Sequence, residues 1–261
     1  MSAKKKFKED GDGSTSQRCS NPFETFTMIF RDPELGADIV QRFFSGTGAS
    51  YDQIVNLCTI GFDSLWKKRM LSKIPQGPIR ILDQACGTGI LTFKMAQKYP
   101  ESQIIGVDIT EEYLSIAKCK AEERGFNNVE LILGKAEEVI LDRVFDCITS
   151  SYLAKYADLG ILIGNARSML RDGGSLIIHD FTYPANQTFA LVWEFYFKVL
   201  QTIGKQCYPE WKTVFYELPG FLRKTRWVIQ LVKTLETNRF ANITVEYLTL
   251  GTSAIVTAKR A

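Results

Sequence analysis

From Ile79 to Asp180 short β-type runs alternate with helical stretches, and this alternation limits the possible folds more than any other feature of the chain. Ile79 to Asp83, Gln103 to Asp108, Val129 to Leu133, Val144 to Thr149 and Ser175 to Asp180 read as strands. Gly89 to Lys98, Glu111 to Arg124 and Leu159 to Arg171 carry apolar residues at helical spacing between them. Parallel strands need a crossover and helices supply it, so the pattern predicts an α/β fold, a doubly wound sheet covered on both faces. Two further runs, Ile243 to Leu250 and Ser253 to Ala258, lie close enough to pair as an antiparallel hairpin, which makes seven mostly parallel strands.

The flanking segments differ in character. Residues 1–22 are polar and carry Lys4, Lys5, Lys6 and Lys8, the composition of a flexible basic tail. Residues 23–261 read as one domain. Within it, 23–75 form N-terminal helices, with Ile39, Phe43, Phe44, Ile54, Leu57, Leu65 and Trp66 at helical spacing and Gly46, Gly48 and Gly61 as breaks. Residues 79–180 are the α/β core, 181–239 an aromatic helical cap inserted before the last two strands, and 240–261 the hairpin.

A formal charge of +3 is too small to imply a nucleic-acid partner. The six cysteines are scattered, with no Cys-x-x-Cys pair, so no metal site is expected. They read as reduced, mostly buried thiols of a cytoplasmic protein. No apolar core follows the N-terminal lysines, which argues against a secretory signal. The most apolar stretch, Phe189 to Ile203, is interrupted by Glu194 and Lys198 and is too short to span a bilayer.

The chemistry concentrates where the first strand ends: Asp83-Gln84-Ala85-Cys86-Gly87-Thr88-Gly89. In open parallel sheets ligands bind beyond the carboxyl ends of the strands, where strand order reverses. Ala85, Gly87 and Gly89 keep the turn small, and the following helix N-terminus favours an anionic group. A dinucleotide loop would place a third glycine at Thr92. Asp83 before the turn suits a cationic amino group, and Asp108 at the end of the second strand suits ribose hydroxyls. Together these favour S-adenosylmethionine, released as S-adenosylhomocysteine.

The chain resembles the class I, Rossmann-like S-adenosylmethionine methyltransferases, and among them the ubiquinone/menaquinone biosynthesis C-methyltransferases. The resemblance rests on Tyr51-Asp52 with Asn56, Gly61 and Leu65-Trp66-Lys67, on Asp83 to Gly89, and on Asp108-Ile109. It continues through Phe145 to Thr149, Gly173-Gly174, Asp180-Phe181-Thr182, and Phe195 to Leu200. It implies cofactor contacts at Thr88, Asp108, Ile109, Lys135, Ala136 and Ser151, with Tyr51 and Lys67 closing over the methionine end. Lys135 departs from the family's usual Asp or Asn. Tyr152-Leu153-Ala154-Lys155-Tyr156 replaces a family Arg-Asn pair, and a lysine lacks the planar fork of arginine.

A C-methylation of a phenol-like ring then needs a base. His179 and Asp180 are the candidates, with Lys155 or Tyr152 stabilising the phenolate. A structural role for His179 is the alternative. The aromatic cap implies an apolar or polyprenylated small-molecule acceptor, with peripheral membrane contact and a homo-oligomer as further expectations. The rivals are O-, N- or other C-methylation of a different small molecule, and a catalytically inactive partner protein. Nucleic-acid methylation lacks its motif, since Ser150-Ser151-Tyr152-Leu153 stands where Asn/Asp-Pro-Pro-Tyr would be.

Overall fold

A computed structural model describes residues 33–261. The proposed basic tail, the start of the N-terminal helical segment and Cys19 lie outside the described residues. Seven strands form one sheet: β1 Arg80–Gln84, β2 Gln103–Asp108, β3 Val129–Leu133, β4 Phe145–Ser151, β5 Leu170–Phe181, β6 Phe240–Leu248 and β7 Ser253–Arg260. Their order is β3-β2-β1-β4-β5-β7-β6. β7 is antiparallel to both neighbours, and the other adjacent strands are parallel. The order reverses between β1 and β4, so their carboxyl ends flank the crevice where such sheets bind ligands.

Alternation along the strands builds two cores. Leu82, Ile105, Ile148, Leu176 and Ile178 face one side and pack with Leu162, Ile163 and Ala166 of α6 (Leu159–Met169) and Trp227 and Leu231 of α9 (Trp227–Thr237). Ile81, Ile104, Cys147 and Ile177 face the other and pack with Met70 of α3 (Phe62–Leu71) and Leu91 and Met95 of α4 (Ile90–Lys98). Each fully buried aliphatic side chain contributes about 1.5–3 kcal/mol. α5 (Glu111–Glu123) joins β2 to β3 and buries Tyr113, Leu114 and Ala117.

A third core connects regions far apart in sequence. Phe43 of α1 (Pro33–Phe44) and Ile54 of α2 (Tyr51–Cys58) pack with Phe197 of α7 (Gln187–Val199) and with Val214, Phe215 and Leu222 of α8 (Lys212–Lys224). The N-terminal helices and the cap therefore form one helical layer. Asn186 caps α7 by accepting from Phe189 N at 3.0 Å. The helix then passes into a π-helical turn at Leu200–Gly204, where Gly204 lies against the Phe215 ring.

Three expectations change. β5 begins at Leu170 rather than Ser175, because Leu170 pairs with Phe145 before a register shift. β6 begins at Phe240, paired with Arg260. The thiols are not mostly buried: Cys86 and Cys147 are, Cys58 is half-buried, and Cys119 and Cys207 lie on the surface. Cys86 fills space against Gly106. No helix among the described residues is long and apolar enough to cross a membrane, and none of their His, Cys, Asp or Glu groups is placed to hold a metal ion.

Candidate functional site

The turn after β1 is built from left-handed residues, Ala85 at φ +59°, Gly87 at +57° and Gly89 at +87°. A side chain at Gly89 would meet the Phe93 ring at 2.2 Å, so the first turn of α4 closes only over glycine. Gly87 N donates to Asp108 Oδ2 at 2.8 Å, and Thr110 N donates to Asp108 Oδ1 at 2.8 Å. These bonds fix the Asp108 carboxylate at the end of β2. Burial nonetheless raises its pKa, against the pull of the N–H donors.

One cavity opens beside this turn, lined by Ala85, Gly87, Asp108, Ile109, Lys135, Ala136 and Ser151 together with Tyr51 and Tyr152. Eight of the expected cofactor residues thus come together. Four others do not line it. Asp83 sits beneath the turn, its oxygens accepting from Thr92 Oγ1 at 2.6 Å and Thr149 Oγ1 at 2.8 Å. Burial pushes its carboxyl up to about 6, and the expected pairing with a ligand amino group has no open face here. Thr88 and Gly89 line a separate cavity beyond α4. Thr88 Oγ1 donates there to Asp52 at 2.5 Å, a contact that Lys120 Nζ braces at 2.7 Å. Lys67 lies behind the wall.

A second cavity, almost wholly apolar, lies under the helical layer. Ile54, Trp66, Phe181, Trp193, Phe197 and Trp211 line it, and among the described residues Lys155 is the one lysine or arginine in its wall. Phe44, Tyr51, Tyr152 and Tyr156 line both cavities and form the partition between them. Tyr152 is the most constrained of these. It adopts φ +68°, unusual for a residue with a side chain. Its ring stacks on Phe181 at 4.5 Å and 12°, and its hydroxyl donates to Asp63 Oδ1 at 2.6 Å.

Polar groups behind the partition form two connected chains. Lys67 Nζ pairs with Asp63 at 3.2 Å, stands 4.0 Å from the centre of the Tyr152 ring and donates to Ser151 Oγ. Ser151 Oγ bonds His179 Nδ1 at 3.0 Å, and His179 Nε2 bonds Ser253 Oγ at 2.6 Å. Burial, aided by the charges of Lys67 and Lys155, holds the imidazole pKa well below its usual value, so the ring is neutral. The second chain is Lys155 Nζ to Asp180 Oδ1 at 2.6 Å and to the Tyr152 carbonyl at 2.7 Å. Asp180 also accepts from Lys155 N at 3.0 Å and Phe181 N at 2.7 Å. Burial lowers the ammonium pKa, and Asp180 opposes that shift.

Two of the four expected catalytic residues, Tyr152 and Lys155, therefore face the cavities. His179 and Asp180, the expected bases, line neither cavity. Both His179 nitrogens are engaged, and Asp180 is closed off by its own lysine. Sequence reasoning missed Asp63 and Ser253. Asp63 had a legible signal: it stands four residues before Lys67 on α3, the spacing of a helical ion pair.

A model of the ubiE/COQ5 methyltransferase family matches residues 33–260. The demethylmenaquinone methyltransferase of Thermus thermophilus is 32% identical over 167 residues, covering 62% of this chain and 74% of that protein. That of Lactobacillus johnsonii is 28% identical over 224 residues, covering 83% and 90%. Among solved structures, geranyl diphosphate C-methyltransferase from Streptomyces coelicolor, crystallised with Mg2+, geranyl diphosphate and S-adenosylhomocysteine, superposes with a TM-score of 0.56. It covers 76% of this chain and 79% of that one at 13% identity, a likeness of fold alone.

Proposed function

The chain belongs to the ubiE/COQ5 methyltransferase family, and on that premise we propose that it transfers a methyl group to a ring carbon of a small, apolar, quinol-type acceptor. It is an S-adenosylmethionine-dependent methyltransferase of the class I fold. The observation that carries the acceptor reading is the apolar cavity that shares the Tyr51, Tyr152 and Tyr156 wall with the Asp108 cavity and holds Lys155 as its cation. The names of the two relatives support a quinol-type ring.

The Asp108 cavity suits the cofactor in its donor set. A buried carboxylate at a strand end accepts from hydroxyl groups, Ile109 and Ala136 offer apolar edges, and Gly87 adds no side chain. We assign these residues, with Tyr51, Lys135 and Ser151, to holding it. S-adenosylmethionine supplies, when bound, an electrophilic methyl group.

The protein's share of the reaction is alignment, exclusion of water and electrostatics. Aromatic rings on every side of the second cavity hold a flat acceptor and leave little room for solvent. An ammonium has three N–H bonds. Among the described residues Lys155 uses one on Asp180 and one on the Tyr152 carbonyl, which leaves one for an acceptor oxygen. Fixed in place by Asp180, this cation stabilises negative charge as a phenolic acceptor ionises. The ion pair substitutes for the arginine of relatives: charge without a bidentate fork.

We further propose that the acceptor reaches the cavity from a lipid surface. Ile60, Phe62 and Val192 line the cavity and are exposed at 66%, 37% and 59%, and Leu191 and Phe195 beside them are also exposed.

The function is tested by incubating the protein with S-adenosylmethionine and a short-chain demethylated naphthoquinol, with calorimetry of cofactor binding alongside. The expected result is a product heavier by one methylene, and micromolar binding of about −8 kcal/mol that Asp108→Ala abolishes. Cofactor binding without methylation of this or related hydroquinones would overturn the acceptor reading.

A further inference from the structure

A phenolic acceptor needs a group to take its proton, and among the described residues no carboxylate or imidazole lines the apolar cavity. Its titratable residues are phenols, Lys155 and Cys58. Lys155 is bound to Asp180 as an ion pair, and burial pushes the Cys58 thiol up to about 12. Among the phenols Tyr196 donates to a backbone carbonyl, that of Leu57. Of the phenols that line the cavity, Tyr152 alone among the described residues hands its proton to a carboxylate, Asp63 at 2.6 Å. Asp63 is 6% exposed, carries Lys67 at 3.2 Å and reaches neither cavity itself.

We propose that Asp63 takes the acceptor's hydroxyl proton through the Tyr152 phenol, an inference that rests on the quinol-type reading above. The acceptor's O–H bond breaks and its proton goes to Tyr152 Oη. The proton already on Tyr152 moves to Asp63 Oδ1, and the electron pair stays on the acceptor oxygen as a phenolate. Charge is conserved, since one carboxylate is neutralised as one phenolate appears. Tyr152 ends the shift neutral, with its new O–H donated to that phenolate. Lys155 stands beside the same ring, 5.7 Å from its centre. When the methylated ring carbon has shed its own proton to solvent at the cavity mouth, the reverse shift returns the stored proton to oxygen and restores Asp63. Tyr152 is the group that touches the acceptor. Asp63 acts through it and is a positioning residue as well as the proton's store.

The test compares wild type with Asp63→Asn, Asp63→Glu and Tyr152→Phe. One readout is turnover of the naphthoquinol. The second is the absorption of nitrohydroquinone, a coloured phenol, bound at a pH where it is protonated in solution. Wild type is expected to show the band of the ionised phenol, and Asp63→Asn and Tyr152→Phe the band of the neutral one. Asp63→Asn is expected to lower kcat by about 10²–10⁴-fold, the range of a lost general base, with cofactor affinity and acceptor KM within about threefold. Asp63→Glu, which restores a carboxylate, is expected to recover part of kcat. A structural role alone would reduce cofactor affinity or melting temperature in step with rate and leave the band unchanged. If Asp63→Asn does not fold, Tyr152→Phe decides by the same two readouts. Wild type that methylates the quinol while these variants match it in rate and spectrum overturns the relay alone. Wild type that does not methylate it overturns the acceptor reading and the relay together.

Discussion

Asp83, next to the last residue of β1, has two tasks in one side chain: it ties α4 to β4 through two threonine hydroxyls, and it keeps a carboxyl group in an apolar core. The second is costly. Its carboxyl titrates at about 6 in the folded chain, against 3.8 for an exposed aspartate. The folded state therefore binds that proton more tightly than the unfolded state does. The stability linked to it is present below about 4, is lost as pH rises, and is gone above about 6. A displacement of this size corresponds to about 3 kcal/mol. Asp83→Asn, neutral at every pH, should melt higher than wild type at pH 8, with the gap closing toward pH 5. Thermal unfolding at the two values checks this, and curves displaced equally at both would contradict it.

The turn after β1 separates stability from binding within three residues. At Gly89 an added Cβ would press into Phe93, which is itself stacked on Phe126 at 5.4 Å. Gly89→Ala should therefore destabilise the fold by about 1–3 kcal/mol. At Gly87 an added Cβ would come no nearer than 3.7 Å, to Tyr113, but the residue lines the Asp108 cavity proposed for the cofactor. Gly87→Ala should cost less stability and more cofactor affinity. Denaturant titration and calorimetry on the pair distinguish the two effects. Much of this element was legible in sequence, because a strand, a small-residue turn and a helix are set by neighbours. β2 and β3 end where the alternation ends. β5 and β6 extend beyond their sequence patterns because their first residues are held by distant partners, Phe145 and Arg260. The Lys67–Ser151–His179–Ser253 chain was invisible for the same reason. It draws on α3, β4, β5 and β7, and strand order alone brings them together. A position at a strand end suggests a base at His179, but the neighbours that bury it come from elsewhere in the chain.

Across the whole molecule, α1, α2, α7 and α8 form a single cover over the carboxyl end of the sheet, and the apolar mouth opens through that cover. If the rim at Ile60, Phe62 and Phe195 docks on lipid, Ile60→Ser and Phe195→Ser should release the protein from quinol-bearing liposomes in a sedimentation assay. Turnover of a short-chain, water-soluble quinol should survive. Loss of both together would argue that these residues hold the ring and not the surface.

The partition of Phe44, Tyr51, Tyr152 and Tyr156 also has a kinetic consequence. One cavity is bounded by Ile109 and Lys135, the other by Ile60 and Val192; if cofactor and acceptor enter by these separate sides, neither blocks the other's path. Two substrates that meet at a common wall from separate sides have no compulsory sequence of arrival. Initial rates should follow a random-order scheme, with S-adenosylhomocysteine competitive against its parent and not against the quinol. Spent cofactor and methylated product then leave in either order.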